Sequence, residues 1–195
     1  MSTNKPPDTV KRLIDSFDHH ANWYKSSDYK EAQLRQEFLN PFFEALGWDV
    51  YNKLGFAPHS QQVIHEDSLR MGGTTKAPDY SFRVGGRRFF FVEAKAPAHN
   101  LCKDPSPAFQ LRRYAWTAKL PLSLLTDFEE LGVYDTRIRP VRTDKPHKAR
   151  LRYLTYHDYA DQWEFLLETF SPVAVQQGAL DKLVYLGPIL VDIFQ

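Results

Sequence analysis

From Asp8 to about Trp23 the apolar residues Val10, Leu13, Ile14 and Phe17 recur at helical spacing with polar residues between them, which predicts an N-terminal helix. Residues Tyr24 to Asp28 form a polar break whose end carries good helix-capping side chains. A second helix is predicted over Tyr29 to Leu46, with Leu34, Phe38, Phe42, Ala45 and Leu46 on one face. Pro41 lies inside it without an N–H to give, and is expected to kink the helix or end its first segment. Gly47 is suited to terminate it.

The period then changes to two. Gln62 to Glu66 predicts a short strand, and Gly72-Gly73-Thr74-Thr75 a loop. Pro78 to Val84 alternates as a strand, Gly85-Gly86 turns, and Arg88 to Lys95 returns as a second strand. Its run Phe89-Phe90-Phe91-Val92 has no polar face, the pattern of a central strand covered on both sides. Pro105 and Pro107 punctuate the following loop, and Ser106 is expected to cap a helix from Ala108 to Lys119. Leu122 to Leu125 and Gly132 to Tyr134 predict two more strands across a tight Asp127–Leu131 connection. From Tyr153 the pattern is helical again through Trp163, Phe165, Leu166, Leu167 and Phe170, and the apolar ending Leu183 to Phe194 suits contact with a further domain.

This order predicts an α/β fold: a mixed central sheet of about five strands flanked by helices, with helical N- and C-terminal extensions. The expected division is an N-terminal extension over 1–28, a core over 29–136, and a basic segment with a helical extension over 137–195. A chain of 195 residues, 43% hydrophobic and 25% charged, can bury a core and is not a disordered tail. Lys+Arg 25 against Asp+Glu 24 leaves a net charge of +1, which excludes a polybasic role, so nucleic-acid binding must use a local patch. Residues 137–152 offer one: Arg137, Arg139, Arg142, Lys145, Lys148, Arg150 and Arg152 stand against the single acid Asp144. Arg83, Arg87, Arg88, Arg112 and Arg113 could extend it over DNA phosphates. The lone Cys102 cannot form an internal disulfide and has no His/Asn arrangement to make it a nucleophile. With no signal-like start and no run near the roughly 18 apolar residues that span a bilayer, a cytoplasmic location is expected. The seven histidines show no zinc-ligand spacing, and Trp48, Trp116 and Trp163 read as core.

The chemistry concentrates in Pro78-Asp79, thirteen intervening residues, then Glu93-Ala94-Lys95. Side chains two apart on a strand share a face, so Glu93 and Lys95 project together, and the hairpin brings Asp79 back toward them. Two convergent carboxylates make a hard-oxygen site suited to Mg²⁺, and the Lys95 ammonium can orient a water and offset phosphate charge. Register decides whether this works. With a regular two-residue turn Asp79 faces Val92 and points to the wrong side of the sheet; with a three-residue or bulged hairpin it sits opposite Glu93. A three-residue or bulged hairpin is therefore predicted.

Glu31-Ala32-Gln33-Leu34-Arg35, Ala45-Leu46-Gly47-Trp48, Ala77-Pro78-Asp79-Tyr80, Phe91-Val92-Glu93-Ala94-Lys95, Gln110-Leu111-Arg112-Arg113-Tyr114 and Leu125-Thr126-Asp127 together resemble the PD-(D/E)XK nuclease superfamily. They are most similar to the N-terminal endonuclease domain of type IIG restriction–modification enzymes and of type I restriction subunits. The likeness spans about 29–135 and continues more weakly through Phe170-Ser171-Pro172 and Gly178 to Lys182. It implies a restriction-endonuclease-like core, a Mg²⁺-dependent hydrolysis of DNA phosphodiesters (with Mn²⁺ as substitute), and metal-holding positions at Asp79, Glu93 and Ala94. It implies Lys95 as catalytic lysine, Gln110 and Tyr114 as the helix motif beside the site, and Glu31 as the first-helix acid. Glu31 also suits an i,i+4 pair with Arg35, and Glu37 is a rival acid. A Gly-rich methyltransferase loop, an Asn-Pro-Pro-Tyr motif and a P-loop do not occur in these 195 residues. The chain is thus expected to carry a nuclease part that works on double-stranded DNA with a methyltransferase or specificity domain lying elsewhere, a dimer supplying the two sites that cutting both strands requires. The alternatives are a non-catalytic DNA-binding or assembly module of nuclease-like fold, and a stand-alone repair or resolvase-type nuclease.

Overall fold

The computed structural model describes residues 5–71 and 74–191, without the side chains of 69–71, 74–76 and 186–191. The first predicted helix is two: α1 (Asp8–His19) and α2 (Ala21–Tyr24), broken where His20 leaves helical geometry. The second is one run in three parts, α3 (Glu31–Leu34), a π-helical segment (Arg35–Leu39) and α4 (Asn40–Ala45). The Asn40 N–H reaches back five residues to the Arg35 carbonyl, so the helix widens just before Pro41, whose ring would otherwise crowd the carbonyl four residues earlier. The run continues past the proline, and Phe38, Leu39, Phe42 and Phe43 are all buried.

Six strands form the main sheet in the order β1-β4-β5-β6-β7-β8: β1 (Val63–His65), β4 (Tyr80–Val84), β5 (Arg87–Ala94), β6 (Leu122–Thr126), β7 (Glu130–Asp135) and β8 (Arg150–Thr155). A separate antiparallel pair, β2 (Leu69–Met71) and β3 (Thr74–Lys76), flanks Gly72-Gly73. Those two glycines of the expected loop lie outside the described residues, while Thr74 and Thr75 are in β3. β5 and β6 are parallel and every other pairing in the main sheet is antiparallel, so the sheet is mixed as expected. The parallel pair needs a crossover, supplied by α5 (Pro105–Thr117). Asp104, rather than the expected Ser106, caps α5 by accepting the Ser106 N–H at 2.9 Å, and the helix begins at Pro105 because a proline costs nothing at a first position.

The five expected strands are present, and β8 is a sixth. Its sequence Arg-Leu-Arg-Tyr-Leu-Thr belongs to an edge strand with one wet face, so it reads as the end of a basic run followed by helix. The helical pattern after it becomes α6 (Trp163–Phe170), α7 (Pro172–Gln176) and α8 (Ala179–Val191), with 192–194 of the apolar ending outside the described residues.

Alternation along β5 divides the core. Phe90, Val92 and Ala94 face the larger cluster, built with α1, α4 and α6, where Phe17 meets Tyr24, Phe38, Phe128 and Tyr156. Phe91 faces the smaller cluster under α5 with Leu111, Tyr114, Leu125 and Tyr134. Phe90 and Phe91 are each 0% exposed, worth about 1.5–3 kcal/mol apiece in burial, so β5 is anchored from both faces. Glu93 and Lys95 continue the Phe91 side, which carries them to the edge of the α5 layer.

Candidate active site

The β4–β5 turn is a two-residue turn at Gly85-Gly86, both with positive φ (57° and 78°), and Val84 pairs with Arg87. Alone, that register would put Asp79 on the wrong face. The ladder shifts between Phe82 and Arg83: Arg83 pairs with Arg88, but Phe82 pairs with Phe90, leaving Phe89 unopposed. Beyond this bulge Tyr80 pairs with Val92, and one step further the same register sets Asp79 opposite Glu93. The bulged hairpin predicted from parity is present.

Glu93 is 2% exposed. Its Oε1 accepts from the Lys95 ammonium at 2.7 Å and from the Gln110 amide, while its buried Oε2 has no hydrogen-bond partner. Asp79 Oδ2 accepts the Ala94 N–H at 2.7 Å, and Oδ1 lies 3.5 Å from Arg35 Nη1. Arg35 Nη2 also donates to the Asp79 carbonyl at 3.3 Å. Lys95 Nζ is 3.7 Å from Glu31 Oε2, and the Lys95 N–H is held by the Thr126 carbonyl on β6 at 3.0 Å.

Burial first, and the Asp79 carboxylate second, push Glu93 up to about 7 against the pull of Lys95. Burial alone would lower Lys95, but Glu93, Glu31 and Asp79 outweigh it and raise the ammonium above its ordinary value. Burial likewise raises Glu31, although Lys95 opposes it. The site is therefore a partly buried, carboxylate-rich corner with Glu93 at its base, one ammonium inside it and one carboxylate oxygen unpartnered.

Of the residues named from sequence, Asp79, Glu93, Lys95, Gln110 and Glu31 converge, and Ala94 takes part through its N–H. Tyr114 is buried in the apolar layer beneath α5; burial and then Glu93 raise its phenol. Glu37 instead accepts from the Tyr29 hydroxyl at 3.0 Å. Helical spacing sets Arg35 against Glu31 at i,i+4, but its ion pairs are with Asp79 and Glu66, and its guanidinium stacks 5.0 Å over the Tyr80 ring. Its place at the head of the π segment turns it toward β4, which that spacing alone does not predict.

The basic patch is less free than its composition suggests. Arg112 is 1% exposed and paired with Asp144 at 2.8 Å, Arg83 and Arg88 converge on Asp67, and Arg137 pairs with Asp135 at 2.9 Å. Arg139 stacks 5.3 Å over Trp116, which is exposed rather than core, whereas Trp48 and Trp163 are buried. Arg142, Lys145 and Lys148 are exposed, with no ion pair among the described residues. Cys102 is an exposed free thiol.

Among the described residues no group of three or more His, Cys, Asp and Glu side chains is set to hold a metal, and no helix is long and apolar enough to cross a membrane. Two carboxylates are nevertheless enough protein for Mg²⁺, which keeps most of its waters.

A mixed sheet whose buried central strand ends in this cluster, with a helix crossing to a parallel neighbour, defines a restriction-endonuclease-like α/β domain. Over 177 residues, 90% of its length, the chain is 36% identical to the type II restriction enzyme and methyltransferase RM.Eco57I of Escherichia coli. The match spans 18% of that protein. The chain is thus a restriction-enzyme-like domain, similar over nearly all of its length to part of a much longer protein. No family model and no solved structure matches it.

Proposed function

We propose that this domain is a Mg²⁺-dependent DNA endonuclease of restriction–modification type, hydrolysing phosphodiester bonds in double-stranded DNA. The observation that carries the reading is the unpartnered Glu93 Oε2, buried beside Asp79 and next to an ammonium. A buried carboxylate oxygen without a donor is costly, and a divalent cation relieves that cost together with the like-charge strain on Asp79. The donor set fits: Asp79 and Glu93 would hold the ion, with the backbone at Ala94 bordering it. When bound there, Mg²⁺ (or Mn²⁺) supplies charge for the phosphoryl oxygens and activates water.

The chain's own residues do the rest. Gln110 fixes Glu93 Oε1, and the Ala94 N–H with Arg35 fixes Asp79, so the two carboxylates are set before any ion arrives. Lys95 keeps its proton and therefore acts as a donor, orienting the attacking water and stabilising charge that grows on the phosphate. Glu31 steadies that ammonium from the other side. The partners on this reading are duplex DNA, the methyltransferase and specificity parts of a longer restriction–modification protein, and a second nuclease site for the opposite strand.

The test is nicking of supercoiled plasmid by the chain with Mg²⁺ or Mn²⁺, beside Lys95→Ala and Asp79→Ala, with Mn²⁺ binding measured by calorimetry. Metal-dependent nicking lost in both variants is expected. Neither nicking nor metal binding by the parent would leave only a DNA-binding module.

A further inference from the structure

The wall that carries Glu31 toward Lys95 has a second face. Ala32, Arg35 and Gln36 on it line a cavity of about 580 Å³ whose other walls are Asn40, Tyr51 and His65. Arg35 belongs to both sides, 3.5 Å from Asp79 Oδ1 and 3.3 Å from His65 Nδ1. A cavity of that size accepts a small planar ligand with its attached sugar.

Its lining suits a nucleotide. The Tyr51 ring is 52% exposed, yet its hydroxyl is held by Asn40 Nδ2 at 3.1 Å. Asn40 is buried and its Oδ1 takes the Tyr80 hydroxyl at 2.8 Å, so the exposed ring stands on a fixed base. The Lys53 ammonium lies 5.3 Å from the Tyr51 centroid and is paired with Glu44, so it leaves the ring's exposed face without net charge of its own. Gln36 is exposed with no hydrogen-bond partner among the described residues, and its amide presents a donor beside an acceptor, the pairing that matches a base edge. Arg35 stands between this cavity and the carboxylates.

We propose that the cavity receives a nucleotide flanking the scissile phosphate, turned out of its stack: base on the Tyr51 ring, edge read by Gln36, phosphate toward Arg35. The proposal rests on the nuclease reading above. Turning a nucleotide out costs its stacking, and an aromatic platform recovers it, drawing the neighbouring phosphate toward Asp79 and Glu93.

The test is fluorescence anisotropy of the full chain with fluorescein-labelled single-stranded 12-mers of dT and dA in Ca²⁺. Tyr51→Ala is expected to weaken binding roughly tenfold, Tyr51→Phe to keep most of the affinity, and Gln36→Ala to change the ratio between dA and dT. Tyr51→Ala binding as tightly as the parent overturns the proposal. So does Tyr51→Phe as weak as Tyr51→Ala, since the Asn40 bond and not the ring would then matter, and so does a parent that binds neither oligonucleotide. Plasmid nicking by the parent separates the two readings. Nicking with an indifferent Tyr51 sinks the cavity alone, and a Tyr51 effect without nicking sinks the nuclease alone.

Discussion

Asp79 is positioned by the strand that carries Glu93: its Oδ2 accepts the Ala94 N–H at 2.7 Å, across the β4–β5 boundary. The first carboxylate is therefore a passenger of β5, and whatever shifts the β4–β5 register moves it out of the site.

Removing Phe89 tests this directly. Without the unopposed residue Phe90 follows Arg88 directly and still pairs with Phe82, so the hairpin becomes regular from the turn onward while Asp79 stays opposite Glu93. The deletion is expected to keep both the far-ultraviolet circular dichroism of an α/β domain and an Mn²⁺ affinity close to the parent's. A deletion protein that folds but no longer binds Mn²⁺ would show that the local twist of the bulge, and not the register alone, sets the site.

Glu93 should set how stability depends on pH. An unfolded glutamate ionises near 4.3, whereas folded Glu93 ionises at about 7. A raised carboxyl pKa means the folded state holds the extra proton, so its contribution is full below the unfolded value and lost as pH rises through about 7. Glu93→Gln, which cannot ionise, is expected to gain about 3 kcal/mol over the parent at pH 8 and little at pH 4. Urea midpoints at the two pH values check this; an equal gain at both would exclude ionisation as the cause.

Gln110 donates to the same oxygen as Lys95. Gln110→Ala removes a donor that favours the ionised carboxylate, so Glu93 should titrate higher by about one pH unit. The acid limb of the nicking pH profile is the readout and should move up; the midpoint of thermal unfolding should fall above pH 7, where the carboxylate is ionised, and change little at pH 4.

Asp67 is buried between two arginines, bonding Arg88 Nε at 2.7 Å and also Arg83. The arginines outweigh the opposing effect of burial and lower its pKa, so its stabilisation is present above the ordinary aspartate range and lost as pH falls through the lowered value. Asp67→Ala strands both guanidinium groups and is expected to cost about 2–4 kcal/mol, less than a fully dry pair because Arg88 is partly wet. Denaturant unfolding of this variant, with no loss of Mn²⁺ affinity in the folded protein, would place the effect in the scaffold.

Asp144 holds the buried Arg112 and also accepts the Val141 N–H at 3.0 Å, pinning the loop between β7 and β8 to α5. Asp144→Ala should cost about 3 kcal/mol and open residues 137–149 to limited trypsin digestion. Protection equal to the parent's would mean that the loop is held by other contacts.

The alternation of β4 and β5, the apolar both-sided β5, the helix after Pro107 and the shared face of Glu93 and Lys95 are legible along the chain, because each rests on local periodicity. Parity also implied the bulge, since only a shifted register lets two carboxylates share a face. Other features needed the folded chain. The widened helix at Arg35–Leu39 answers Pro41 but also turns Arg35 from a helical neighbour of Glu31 into a partner of Asp79, 44 residues away. β8 reads as basic loop because an edge strand satisfies one face with water. Several arginines of the apparent DNA patch are consumed by Asp67, Asp135 and Asp144, which is a matter of which side chains meet in three dimensions. Charge counts along a chain record how many cations it has; only tertiary packing decides which of them remain free, and which carboxylate oxygen, Glu93 Oε2, is left buried without a partner.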